Sequence, residues 1–392
     1  MNILFLSCYA DSDFNQMIKS GKIISQAAQK FDKLFVKGFI DNGCKVDVIL
    51  FYTGDNKLSE CEMYHNRKII FHCCRLEGNL IKRLLIRKHY VNEVFSKWNK
   101  KGQERIVVID SLKPAALDLS KIAKKNNVKV VSIITDFRDL LDNKCSNIKQ
   151  KFFDYLLTKS FYKQFKYTSL FVLLTDEMKK KLPVRNNAII IEGLCDIDPC
   201  ADEDVEDIEI DNCFIYSGAL SKQFGIDNLV SAFIKADTAE FELHLYGSGD
   251  YVEEIKEISK KDRKIKYFGV IPNEQMIEVQ KKAYCLVNPR PVGDEYTKYS
   301  FPSKTIEYMV SGRPVVTTKL PGIPQDYNDF LFFFNSDSIQ GLTGGITGIL
   351  KKDCDELFEF GKRAREYVIT KKNNVIQTRK LLEKVKEKYE NC

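Results

Sequence analysis

Two doubly wound α/β domains are what this sequence predicts, on three observations. Short apolar runs alternate with helical stretches along nearly the whole chain, and the runs have the length and β-branched content of strands buried on both faces. The alternation breaks once, near residue 195. A chain of 392 residues that is 44% hydrophobic and 29% charged also exceeds what one compact core usually holds.

The strands predicted for the first half are 2–7, 45–51, 105–109, 129–134 and 170–174. Those of the second half are 213–217, 241–246, 265–268, 284–288, 314–318 and 330–334. Helical periodicity fills 23–42, 112–126, 146–167, 225–237, 251–261, 273–283 and 302–311, which is the βαβ order of parallel sheets. After Ile189-Ile190-Ile191-Glu192-Gly193 the stretch from Cys195 to Ile210 turns acidic and aperiodic, a linker composition. Past residue 335 the pattern is helical (337–350, 355–370, 375–389), and no strand follows the last helix. The expected domains are therefore 1–195 and 196–372, with a terminal helix over 373–392 placed to pack back on the first.

No stretch approaches the roughly 18 uninterrupted apolar residues of a membrane span, and the apolar start Met1 to Ser7 leads to Asp11 and Asp13 rather than to a cleavage site. The start is thus expected to be a buried strand of a cytoplasmic protein. Twelve cysteines show no Cys-x-x-Cys spacing and no grouping with the four histidines, so reduced thiols and no metal site are expected. Residues 1–196 carry 34 Lys and Arg against 21 Asp and Glu, a net +13, whereas residues 197–392 carry 27 against 33, a net −6. The sign of the first half suits nucleic acid or an anionic membrane. No nucleic-acid-binding module is recognisable and the second half is acidic, so nucleic acid is not the expected partner.

The segment from Asn288 to Val316 is the most informative. A strand ends at Val287, Pro289-Arg290-Pro291 fixes a cation in the following loop, and a helix opens at Ser300-Phe301-Pro302-Ser303-Lys304 with Glu307 in its first turns. First-turn backbone N–H groups lack intrahelical partners, so such an opening is an anion site, and Arg290 and Lys304 add charge there. A diphosphate fits, with Glu307 accepting from neighbouring sugar hydroxyls. Gly218, in the strand-to-helix stretch Tyr216 to Gly225, either serves a tight turn or lets a phosphate approach the backbone. Gly247-Ser248-Gly249 more simply shapes a turn, while Gly269-Val270-Ile271-Pro272 either turns the chain or reads a nucleobase edge. Gly21, before the first helix, either lies in a plain loop or faces the same diphosphate. Asp110 and Asp136 each follow a strand directly, as loop caps or as a general base, Asp136 in the more polar setting. Leu80 to Tyr90 forms a basic amphipathic helix that is either solvated or rests on an anionic membrane. The aromatic residues between Lys149 and Lys166 have helical spacing and are expected in the core.

Residues 288–316, with the 216–227 and 269–272 stretches, resemble the donor half of a retaining family 4 (group 1) glycosyltransferase, in the branch that builds bacterial capsule, exopolysaccharide and O-antigen. Ser25 to Phe31 and Leu174 to Met178 extend the resemblance over the whole chain. It implies GT-B architecture: two doubly wound Rossmann-like domains facing across a cleft. It further implies a nucleotide-sugar donor, a UDP-sugar, whose hexosyl group passes with retention to a glycan or lipid-linked glycan acceptor without metal or other cofactor. The protein would work in the cytoplasm or on the inner face of the plasma membrane. Glu307 would bind ribose, Ser303 and Lys304 would give backbone amides to the diphosphate, Gly218 would lie beside it, and Val270 and Pro272 would hold the base, with Phe301 at the family's aromatic position.

Several positions depart from the family pattern. Tyr299 stands where the first glutamate of the Glu-x7-Glu motif belongs, so sugar contacts fall to Asp294 or Glu295. Ala219 and Phe224 replace two phosphate cations, leaving Arg290, Lys304, Lys222 or Lys298 to supply charge. The catalytic candidates are Asp136, Arg290 and Lys304. The departures keep open a non-catalytic nucleotide-sugar-binding partner, or another GT-B enzyme such as a sugar-nucleotide epimerase.

Overall fold

The structure is a computed structural model that describes residues 1–10, 26–53, 58–100, 104–138, 140, 148–182, 184, 187–196, 208–238, 240–293 and 295–390. It divides into one unit of Met1–Leu194 with Asn374–Cys392, and a second of Cys195–Asn373.

In the first unit β1 (Asn2–Leu6) is followed by α1 (Gln26–Asp41), β2 (Lys45–Tyr52), β3 (Cys61–Tyr64), β4 (Arg67–Arg75) and α2 (Leu80–Trp98). Then come β5 (Arg105–Asp110), α3 (Ala116–Lys125), β6 (Lys129–Ile134), α4 (Ile148–Gln164), β7 (Leu170–Leu173), α5 (Asp176–Lys181) and β8 (Ala188–Ile190). The sheet order is β3-β4-β2-β1-β5-β6-β7-β8, parallel except for β3 against β4. The β3–β4 hairpin is absent from the expected strands. Its turn places His65 and Asn66 at positive φ, and β4 alternates exposed and buried positions, so its apolar content is diluted. β1 and β5 are almost wholly buried, as continuous apolar runs demand.

The second unit runs β9 (Asp211–Ala219), α6 (Ile226–Lys235), β10 (Glu242–Ser248), α7 (Val252–Lys261), β11 (Ile265–Gly269), α8 (Asn273–Lys281) and β12 (Ala283–Asn288). It continues with α9 (Ser303–Val310), β13 (Val315–Thr318), β14 (Phe332–Phe334), α10 (Ile339–Leu350) and α11 (Cys354–Lys371). All six strands are parallel in the order β11-β10-β9-β12-β13-β14. Helix α6 shows why the pattern folds this way. Ile226, Leu229, Val230 and Phe233 recur at helical spacing and are fully buried, each contributing about 1.5–3 kcal/mol of gross hydrophobic stabilisation. The last helix, α12 (Asn374–Glu390), packs on α1 in the first unit, where Asn42 donates to the Val375 carbonyl and to Thr378.

The nine described cysteines are all free thiols. Among the described residues no helix is long and apolar enough to cross a membrane. The aromatic residues of α4 depart from expectation. Phe161 is buried and packs on Phe165, but Phe152 and Tyr155 are exposed. The hydrophobic side chains of this helix spread around its circumference, so one face cannot bury them all.

Candidate active site

In each sheet the strand order reverses once, between β9 and β12 in the second unit and between β1 and β5 in the first. Chains leaving neighbouring strands in opposite directions open a crevice at the carboxyl ends of such strands, where open α/β sheets bind ligands.

At the second unit's crevice, Gly218 proves to be still within β9, paired with Gly247 of β10. Its φ of +152° favours glycine, and a Cβ there would overlap the Lys304 side chain. Gly247, at φ +135°, abuts the Gly218 carbonyl so closely that no side chain fits, and Gly249 abuts the Leu220 carbonyl, so the Gly-Ser-Gly stretch shapes the backbone as the simpler reading holds. Gly225 takes a left-handed φ of +76° to start α6 against the Pro289 carbonyl.

Helix α9 opens at Ser303 with Pro302 in the cap position and no side chain capping it. The Thr305 amide donates to the Pro302 carbonyl at 2.8 Å, and a helix opening of this kind is where anions are held. The Lys304 amine donates to the Ser217 carbonyl and lies 5.5 Å from the centre of the Tyr216 ring. The fully buried Tyr308 hydroxyl accepts from the Ser217 amide at 2.9 Å, which ties α9 to the end of β9. Burial pushes the Tyr308 phenol up to about 12, so it stays a neutral hydroxyl. Glu307, one position earlier, is half-buried.

Arg290 leaves the end of β12 with its guanidinium 4.8 Å from the centre of the Tyr296 ring and 5.9 Å from that of Phe224. It forms no ion pair among the described residues, and its Nε is buried without a partner. Three more atoms of the surrounding segments share that condition: Asn288 Nδ2, Tyr296 Oη and Thr305 Oγ1. Buried polar atoms are nearly always satisfied, and each unpaired one costs about 1–3 kcal/mol. Four such atoms therefore lie between Asn288 and Thr305 among the described residues.

The other predicted donor contacts are placed less centrally. The Lys222 ammonium is 3.9 Å from Glu254 and 5.2 Å from the centre of the Tyr251 ring. Glu295 and Lys298 are exposed, in a short 3-10 turn, and Tyr299 is half-buried just after it. Phe301 is buried with its ring 5.5 Å from that of Tyr327. Val270 is 69% exposed beside Gly269, whose φ is +76°, and Pro272 caps α8. Gly21 and Asp294 lie outside the described residues.

In the first unit Asp136 follows β6 and is half-buried, next to the buried Phe137 ring that carries the Lys181 ammonium 4.7 Å from its centre. Asp110 accepts from the Leu112 amide at 3.0 Å and pairs with Lys113 at 3.2 Å, so it holds the β5–α3 loop. At the β1–β5 crevice, buried Asp32 accepts from the Ser7 hydroxyl at 2.7 Å and the Cys8 amide at 2.9 Å. Its pKa is pushed up to about 6, first by burial and then by Asp110. Cys8, Asp32 and Asp110 are the one close group of metal-ligating side chains among the described residues, and these hydrogen bonds already occupy it.

Reasoning from the sequence named Arg290, Lys304 and Gly218 but missed Asn288, Tyr296, Thr305 and Tyr308. A polar Asn288 closing the apolar run of β12, and a tyrosine one position after Glu307, were the available signals.

Residues 211–352 match the sequence model of the family described as "Glycosyl transferases group 1". No curated protein matches the chain. Several solved structures share its fold over nearly the full length of both chains. Sucrose-phosphate synthase from Thermosynechococcus elongatus is 15% identical, covering 98% of this chain and 99% of that one, with a TM-score of 0.66. Anabaena HepE in complex with UDP and glucose is 14% identical over 99% and 100%, with a TM-score of 0.65. A variant of S. aureus TarM in complex with Fondaparinux, alpha-GlcNAc-glycerol and UDP is 13% identical over 98% and 99%, with a TM-score of 0.64. The chain thus has the two-domain GT-B fold of these structures, and within it residues 211–352 match the group 1 glycosyl transferase model.

Proposed function

We propose that the protein is a retaining glycosyltransferase that moves a hexosyl group from a UDP-sugar to a hydroxyl of a glycan or lipid-linked glycan in cell-surface polysaccharide synthesis. The observation that carries this reading is Arg290, which has no counter-ion among the described residues and lies against two aromatic rings amid unsatisfied polar atoms in the matched segment. Structures of the same fold that hold UDP support a uridine diphosphate at this crevice.

In this reading Arg290 and the backbone amides of Ser303 and Lys304 hold the diphosphate, the Lys304 amine turns from the Ser217 carbonyl to the phosphates, and Glu307 accepts from the ribose hydroxyls. The 269–272 turn receives the base. The bond between the anomeric carbon and the diphosphate oxygen breaks, and the departing UDP takes the electron pair. The acceptor oxygen bonds to the same face of that carbon, and its proton passes to the departing oxygen. Fixed charge aimed at a developing anion is usually the largest catalytic term, and here it comes from side chains and amides, with no metal required.

The acceptor binds the basic first unit at the cytoplasmic face of the membrane. In α2, Ile81 and Leu85 are 70% and 64% exposed, flanked by Lys82, Arg83, Arg87 and Lys88, while only Val91, Val94 and Phe95 farther along are buried. That face suits an anionic lipid surface.

A thermal-shift panel of nucleoside diphosphates and their sugars tests the proposal, because a ligand of the native state raises the melting temperature by mass action. UDP and a UDP-sugar should raise it, and sugar should pass to a glycan acceptor. No shift with any nucleoside diphosphate would overturn the reading, and binding without transfer across acceptors would leave a nucleotide-sugar-binding protein.

A further inference from the structure

Helix α4 (Ile148–Gln164) has an outer face that the donor site does not account for. Its inner face is ordinary: Phe161 and Gln164 are buried, and Phe153, Leu157 and Ser160 at the same helical spacing are half-buried. The exposed side chains of the helix from residue 151 on are the lysines 151, 159 and 163 with Phe152, Tyr155, Leu156 and Tyr162. At 3.6 residues per turn they fall within roughly 140° of the circumference, opposite the inner face. Phe152 and Tyr155 are 62% and 60% exposed. A solvated helix face normally carries acidic and small polar side chains beside its cations. This one carries neither, and the helix's single carboxylate, Asp154, is half-buried and pairs with Arg138 at 3.7 Å.

The charge of the face selects its partner. A second copy of the chain docked by a two-fold would set lysines against lysines. A nucleic acid backbone would take the lysines and leave Leu156 in water. The boundary of an anionic bilayer takes both kinds of side chain: Phe152, Leu156 and the tyrosine rings enter the acyl edge, while the tyrosine hydroxyls and lysine ammoniums stay among the headgroup phosphates. The face also continues a surface already described. Helix α3 lies between α2 and α4 and packs on each, and α2 carries the exposed Ile81 and Leu85 among its own cations.

We propose that the outer face of α4 inserts into the interfacial layer of an anionic membrane. The inference rests on the proposed function in placing the first unit at a membrane, and it assigns to α4 the aromatic contact that α2 lacks. Neither short face holds the protein alone. Once one is bound the other engages as an intramolecular step, so removing either should release the protein.

The test is sedimentation of the full chain with vesicles of phosphatidylcholine alone or mixed with phosphatidylglycerol, beside calorimetric titration of UDP. The wild type should sediment with the mixed vesicles and not with the neutral ones, and added salt should release it. Phe152→Ser with Leu156→Ser should weaken the association at least about tenfold through lost apolar area, and Lys159→Gln with Lys163→Gln should do so through lost charge. Both variants should keep the melting temperature and UDP affinity of the wild type, because the altered side chains are exposed. Phe152→Trp should shift its emission to the blue with mixed vesicles and be quenched by lipids brominated on their acyl chains. The unaltered chain, whose one tryptophan is Trp98, gives the baseline. Association untouched by the α4 substitutions, equal sedimentation with neutral vesicles, or a tryptophan at 152 indifferent to brominated lipid would overturn the inference and leave the proposed donor chemistry standing. Loss, in the α4 variants, of a dimer or of single-stranded oligonucleotide binding seen in the wild type would give the face to that partner and overturn it too. Failure of UDP to bind would fall on the proposed function.

Discussion

Replacing Arg290 by alanine should separate catalysis from folding. The guanidinium has no ion-pair partner among the described residues and lies against Tyr296 and Phe224 with its Nε unsatisfied. Two cation–π contacts of about 0.5–1 kcal/mol each are lost on substitution, while the relief of one buried unpaired donor returns about 1–3 kcal/mol. The unliganded protein should therefore melt within a few degrees of the wild type. Turnover should behave otherwise, since removing one preorganised donor from a developing oxyanion costs about 2.7–4 kcal/mol, or about 10²–10³ in kcat. Arg290→Lys keeps the charge but loses the planar fork and the stacking, and should fall between. The assay is steady-state UDP release with product identified by mass, beside thermal melts of each variant. The loss of turnover in Arg290→Ala should exceed any loss of donor affinity in Asp136→Ala, which lies in the other unit. Normal turnover in Arg290→Ala would refute the reasoning, and so would a loss of turnover that merely follows a collapse in melting temperature.

Tyr296→Phe and Thr305→Val delete buried oxygens that have no partner, so each should leave the unliganded protein as stable or up to about 1 kcal/mol more stable. Each should also weaken UDP binding by calorimetry, and lower unliganded stability with unchanged binding would contradict the assignment. Asp32, whose ordinary pKa near 3.8 is pushed up to about 6, holds its proton in the folded state at pH values where the unfolded chain has released it. Stability should therefore fall as pH rises from about 4 to about 6. Urea melts of wild type and Asp32→Asn should diverge over that window, whereas a constant difference would refute the burial argument. Ile81→Ser with Leu85→Ser should abolish co-sedimentation with vesicles containing anionic phosphatidylglycerol and leave UDP binding intact. Undiminished sedimentation would remove α2 from the membrane face.

The parallel strands were legible because strands covered on both faces must be continuously apolar, as β1, β5 and β12 are. The β3–β4 hairpin was not, because alternating exposure leaves β4 without that signature. The exposed aromatics of α4 misled for a related reason. Helical spacing places side chains around a helix but does not say whether anything covers them, and Phe152 and Tyr155 stay exposed.

At the candidate site the sequence determined the cation fixed between two prolines, the helix opening at Ser303 and the glycine at 218, since each is a local property of the chain. Against the pattern of the family it resembles, the sequence also set Phe224 and Tyr299 at positions that carry charge there. Only the tertiary structure decided what Phe224 does instead. Its ring lies against the Arg290 guanidinium, although 66 positions separate them in sequence. The unsatisfied atoms of Asn288, Tyr296 and Thr305 were likewise beyond reach of the sequence. Whether a buried polar group has a partner depends on what distant segments bring to it, and only the packed chain fixes that.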